Sequence, residues 1–119
     1  HKPDRRQRQM CIRDSREQSI RDRGFYPESM QRHLMAIFKT GDRSDAAATI
    51  VAPTLVLHGE DDGLVPPEHG RHTASLIQES RFLLIEGMAH NMPEDVIPLL
   101  VDEMTGHMDA VEAAALTTR

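Results

Sequence analysis

Two short loops hold the side chains with the most chemical potential. Glu60-Asp61-Asp62-Gly63 packs three carboxylates into one turn, and Gly87-Met88-Ala89-His90-Asn91-Met92-Pro93 contains a single histidine. A carboxylate held against an imidazole makes a general base. The imidazole titrates near pH ~6.5, so it exchanges protons readily around neutrality. The carboxylate on one ring nitrogen fixes the tautomer and stabilises the imidazolium that forms. Such a pair can activate a hydroxyl that is otherwise a weak nucleophile. A second set lies nearby in sequence. His69 and His72 are three apart, a spacing that suits a metal, with Glu60 and Asp61 close by. Pairs at that spacing are common by chance, so no metal is assigned to them. Cys11 is the one cysteine, which excludes an internal disulfide framework and a four-cysteine zinc module.

The elements around the loops decide whether they meet. Pro53 to Gly59 and Arg81 to Glu86 are continuous apolar runs, not alternating ones. Short continuous runs that end at glycine predict strands buried on both faces, as in parallel sheets. Between them, Pro66-Pro67-Glu68 opens a helix, with Pro in the first turn and Glu at the positive end. Ala74 and Ile77 give that helix an apolar face. Glu94 and Asp95 open a last helix whose apolar face is Val96, Ile97, Leu100, Val101, Met104 and Met108. The order strand, helix, strand, helix predicts two parallel strands with a right-handed crossover. Ligands meet such sheets at the carboxyl ends of the strands. Both chemical loops fall there, so an acid and a histidine arrive side by side. His58 ends the first strand and reads as a satisfied packing residue. Leu64 and Val65 line either a pocket or the core.

His58-Gly59-Glu60-Asp61-Asp62-Gly63-Leu64-Val65-Pro66 and Glu86-Gly87-Met88-Ala89-His90 resemble the last two catalytic loops of the α/β-hydrolase fold. The resemblance implies the terminal strand-helix-strand-helix part of an α/β-hydrolase parallel sheet, with a lid helix before it. By position it implies Asp62 as the catalytic acid, with Asp61 the alternative, and His90 as the base. Tyr26-Pro27 with Gln31, and Gly41-Asp42-Arg43, resemble the lid of aclacinomycin-methylesterase-like esterases. The resemblance runs from Gly24 to about Met108. It implies no cofactor and a small ester-like substrate for the parent protein. The Gly-x-Ser-x-Gly elbow of that fold has no counterpart in this sequence, nor has the oxyanion loop. The expectation is therefore the carboxyl-terminal part of a longer serine hydrolase, without esterase activity as an isolated chain. Two alternatives stay open. One is a non-catalytic binding fragment that associates with itself through an exposed sheet edge. The other is a parent of the dehalogenase, epoxide hydrolase or haloperoxidase type, since these share the two loops.

Charge and length set the frame. The 119 residues fit one domain, and the net charge of -5 argues against nucleic acid as the main partner. Residues 1–23 hold 8 Lys/Arg against 4 Asp/Glu, whereas residues 24–119 hold 6 against 15. The basic stretch 1–23 has little apolar content, which predicts a disordered or loosely helical tail. Gln9 to Ser15 resembles translated adapter sequence found in metagenomic assemblies, which implies an artefactual start. Residues 24–45 are expected to be the lid remnant and 46–108 the hydrolase part. Residues 109–119 are expected to fray. No run approaches a membrane span, and the start lacks a signal-peptide core, so a cytoplasmic location is expected.

Overall fold

In the computed structural model, residues 4–24 and 26–117 are described, apart from the side chain of Gln9. Phe25, and residues 1–3, 118 and 119 of the expected tails, lie outside the described residues. The chain divides into two compact units at the Gly41–Asp42 boundary.

The first unit is two helices. α1 spans Arg5–Asp22. Its start is fixed by a capping box, in which the Asp4 carboxylate accepts from the Gln7 N–H at 2.7 Å and the Gln7 amide oxygen accepts from the Asp4 N–H at 3.1 Å. Surface pairs four residues apart, Arg13–Glu17 at 3.1 Å and Gln18–Asp22 at 2.9 Å, support a helix that buries little. α2 spans Pro27–Thr40, with Pro at its start, Glu28 in the first turn and Lys39 in the last. Gly41 follows at φ 64° and ends it. The apolar side of α2 is exposed, with Phe38 the most open at 79%.

The second unit holds the α/β arrangement. α3 (Ser44–Ala48) starts after Asp42, whose Oδ1 accepts from both the N–H and the hydroxyl of Ser44. These two bonds hold the Asp42 carboxyl below the usual carboxylate range. β1 (Thr54–Gly59) pairs in parallel with β2 (Ser80–Ile85), in a register that runs from Thr54 opposite Ser80 to Gly59 opposite Ile85. α4 (Pro67–Leu76) connects them and packs on both strands, with Gly70, Ala74 and the following Ile77 buried. After β2 come a short 3-10 turn, Glu94–Val96, and α5, Ile97–Thr117. This is the predicted order of elements.

The core is small and lies directly beneath the chemical loops. Ile85 is 1% exposed and clusters with Met88, Val96 and Leu100, with Leu57 and Leu83 packed against them. Two differences from expectation stand out. The strands are half-buried rather than enclosed, because a two-stranded sheet is only about 5 Å between strand axes and gives helices a narrow floor. For the same reason only Leu100 of α5 is fully buried, while Ile97, Val101, Met104 and Met108 stay partly exposed. α5 also runs on to Thr117, through Gly106 and into the stretch from 109 where the pattern predicts fraying. Ala113, Ala114 and Ala115 are the strongest helix formers and sustain it. Arg81–Glu103 at 2.9 Å ties α5 to β2, and His107 Nε2 to the Pro53 carbonyl at 3.2 Å ties it to the residue before β1. His107 thus links α5 to the chain just before β1. Among the described residues no helix is long and apolar enough to cross a membrane.

Candidate active site

The turn after β1 and the loop after β2 are stitched together by backbone. The Glu60 N–H donates to the Ile85 carbonyl at 2.9 Å, and the Asp61 N–H to the Met88 carbonyl at 3.0 Å. The Asp62 N–H closes the turn on the Gly59 carbonyl at 3.3 Å. Gly59 allows this approach. A Cβ there would overlap the carbonyl oxygens of Met88 and Ala89 and lie 2.7 Å from the Met88 carbonyl carbon. Gly87, at φ 76°, takes the left-handed conformation that turns the chain out of β2.

This stitching delivers Asp62 and His90 to one point. Asp62 Oδ2 lies 3.0 Å from His90 Nδ1. Asp62 is 8% exposed, while the His90 side chain is 58% exposed. The other carboxylate oxygen, Oδ1, accepts from the Val65 N–H at 2.8 Å and the Leu64 N–H at 3.0 Å, an Asx-type turn. Both oxygens are therefore occupied. The Val65 N–H, with further help from His90 and Leu64, holds the Asp62 carboxyl below the usual range against the opposing effect of burial. Asp62 is thus a carboxylate at neutral pH and can only accept. The contact therefore takes its proton from His90 Nδ1, the tautomer that places the lone pair of a neutral ring on Nε2. Among the described residues Nε2 of His90 has no hydrogen-bond partner.

His58 is the residue that sequence reasoning undervalued. It is well packed, its side chain 12% exposed, but it also adjoins the carboxylate. Its Nε2 lies 2.7 Å from the Val65 carbonyl and 3.5 Å from Asp62 Oδ2. The signal in the sequence is only that a histidine ends an apolar run. Asp61 and Glu60 are exposed at the turn, and the Asp61 side chain is not brought to His90. His69 and His72 are exposed on α4. Among the described residues, no three His, Cys, Asp or Glu side chains gather as a metal site.

No protein-family model matches the chain. Over 57 residues it is 39% identical to a bifunctional esterase/perhydrolase of Acinetobacter calcoaceticus, covering 47% of this chain and 21% of that protein. Over 67 residues it is 36% identical to a non-heme haloperoxidase of Rhodococcus erythropolis, covering 54% of this chain and 24% of that protein. The chain spans between a fifth and a quarter of the length of these curated relatives. These partial similarities support the α/β-hydrolase superfamily.

Proposed function

We propose that this chain supplies the acid and the base of a Ser–His–Asp acyl-transfer site, in a parent protein that hydrolyses an ester or related bond. The single observation behind this reading is the 3.0 Å contact of His90 Nδ1 with a buried, ionised Asp62. That arrangement leaves His90 Nε2 as a neutral base on an exposed ring edge. The nucleophilic serine is proposed to come from a part of the parent outside these 119 residues. The similarity to an esterase/perhydrolase favours an ester substrate, and α2, amphipathic with an exposed apolar side, is read as a lid remnant.

The chemistry follows from the pair. His90 Nε2 takes the serine proton as the serine oxygen attacks the ester carbonyl carbon. The imidazolium is stabilised by Asp62 and hands its proton to the departing alkoxide, leaving an acyl-serine. Water then attacks the acyl carbon and gives its proton to Nε2. The proton returns to the serine as the carboxylic acid leaves. Asp62 stays ionised throughout, because two backbone N–H groups and the His90 ring occupy its oxygens.

The test is a graft. Residues 51–108 replace the corresponding segment of the Acinetobacter calcoaceticus relative, and ester hydrolysis is assayed. The graft is expected to hydrolyse esters, and His90→Ala in it to lower kcat by at least about 10⁴-fold. A hydrolysing graft indifferent to His90→Ala and Asp62→Asn would overturn the proposal.

A further inference from the structure

We infer that His58 is the positioning residue of the Asp62–His90 pair, clamping the carbonyl of Val65, the residue whose N–H holds the carboxylate in place. The geometry forms a closed circuit. The Val65 N–H donates to Asp62 Oδ1 at 2.8 Å, and the Val65 carbonyl lies 2.7 Å from His58 Nε2. A carbonyl only accepts, so His58 carries its proton on Nε2. The two peptide units that flank Val65 are thus held, the first by the carboxylate through its N–H and the second by the imidazole through its carbonyl. The same Nε2 lies 3.5 Å from Asp62 Oδ2, the oxygen that His90 uses.

His58 is itself fixed from behind. Its ring lies against α4 at Gly70, where a Cβ would come 2.5 Å from Nδ1 and 3.1 Å from Cγ. The same Cβ would meet the Phe82 ring at 3.2 Å, so the space is closed on the β2 side too. Strand β1 provides the backbone, α4 the backing, and the ring's far edge the grip on the turn. The groups that face Asp62 are therefore His58 from β1, His90 from the loop after β2, and the Leu64 and Val65 N–H groups of its own turn. Without the His58 bond, Val65 keeps its hold on Oδ1 only through the turn itself. A half-restrained peptide orients the carboxylate less well, and with it the Nδ1–H of His90. The role in catalysis rests on the acyl-transfer reading; the clamp itself does not.

The experiment reads the clamp without turnover, so its failure is separable from failure of the graft. In the ¹⁵N-labelled chain, long-range ¹H–¹⁵N spectra above pH 7 assign the proton position on each ring. The expected result is opposite tautomers, Nε2–H at His58 and Nδ1–H at His90. An Nδ1–H tautomer at His58 would overturn the inference and needs no variant. Next, the Asp62 carboxyl is titrated by ¹³C spectra in His58→Leu, His58→Gln and Gly70→Ala. His58→Leu is expected to move the Asp62 midpoint up towards the ordinary carboxylate value and to speed amide exchange at Val65. His58→Gln, which keeps a side-chain N–H donor, restores both. Gly70→Ala favours α4 on helix propensity alone. It displaces the ring, however, and is expected to shift Asp62 in the same direction as His58→Leu. An unchanged Asp62 midpoint in folded His58→Leu would sink the clamp. Should that variant not fold, an unchanged midpoint in Gly70→Ala would do the same.

Discussion

Substituting Gly59 by alanine is the sharpest probe of the idea that backbone contact between two loops builds the site. The added Cβ meets the carbonyl groups of Met88 and Ala89, at 2.7 Å from the Met88 carbonyl carbon. Comfortable carbon contacts lie at about 3.5–4.0 Å, so the β2 loop must retreat by about 1 Å. Backbone, unlike the tip of a flexible side chain, does not step aside cheaply. Overpacking of this kind costs about 1–3 kcal/mol. The Asp61 N–H to Met88 carbonyl bond, now 3.0 Å, stretches beyond bonding range, a further loss of about 1 kcal/mol. Against this, replacing Gly by Ala restricts the unfolded chain and returns about 0.4–1 kcal/mol. Gly59 does not have a positive φ, so backbone strain adds nothing. The net expectation is a destabilisation of about 1–3 kcal/mol, against a typical domain stability of about 5–15 kcal/mol.

Gly63→Ala is the matched control. It sits four residues on, its φ is not positive, and nothing lies within 4 Å of its Cβ position. Urea unfolding followed by far-ultraviolet circular dichroism measures both. With a urea slope near the low end for small proteins, about 1–2 kcal/mol per M, Gly59→Ala lowers the midpoint by about 1 M. Gly63→Ala leaves it unchanged or raises it. Amide exchange adds a local reading, since Asp61 loses protection only in Gly59→Ala. Equal midpoints for the two variants, with the Asp61 amide equally protected, would refute the reasoning that the loops are held by contact at Gly59.

Two further outcomes are expected. Leu100→Ala opens the cluster of Ile85, Met88 and Val96 and lowers stability by about 2–5 kcal/mol, read from the same urea curves. Asp62 has a depressed folded-state pKa, so its contribution is present above the unfolded value of about 3.9 and is lost as pH falls through the folded value. Thermal midpoints should therefore fall more between pH 5 and pH 3 in the wild-type chain than in Asp62→Asn, and identical slopes would contradict the assigned ionisation.

The strands β1 and β2 and the helix α4 were legible because each has a local cause. The apolar runs of β1 and β2 end at or just before a glycine, Gly59 and Gly87, and Pro67 and Glu68 announce α4 without help from tertiary structure. What the pattern does not supply is how much surface is available to cover an element. Leu55, Val56 and Leu57 have the composition of a strand enclosed on both faces, yet they are half-buried beside one partner strand. The apolar positions of α5 likewise exceed what two strands cover. Helix length at the carboxyl end depends on a balance between Gly106, which weakens the helix, and the alanine run after it, which the hydrophobic pattern does not register.

The Asp62–His90 pair is legible for a reason that also explains why His58 is not. In a parallel pair, register alone sets which loop atoms meet. With Gly59 opposite Ile85, the turn closing at Asp62 and the loop reaching His90 leave the same edge within a few residues of each other. The Glu60 N–H to Ile85 carbonyl and Asp61 N–H to Met88 carbonyl bonds carry that register past the strand ends, and the register pins the pair. Both partners follow a glycine by three residues, which makes them visible in the sequence as a spacing. His58 belongs to the strand itself. Its value arises from a carbonyl seven residues later that folds back over it, and from a glycine on α4 that leaves room for the ring. Neither contact has a sequence period. The residues that would perform chemistry are thus announced by turns, while the residue that aims them is set by packing between strand, turn and helix, and becomes visible only when the three are assembled.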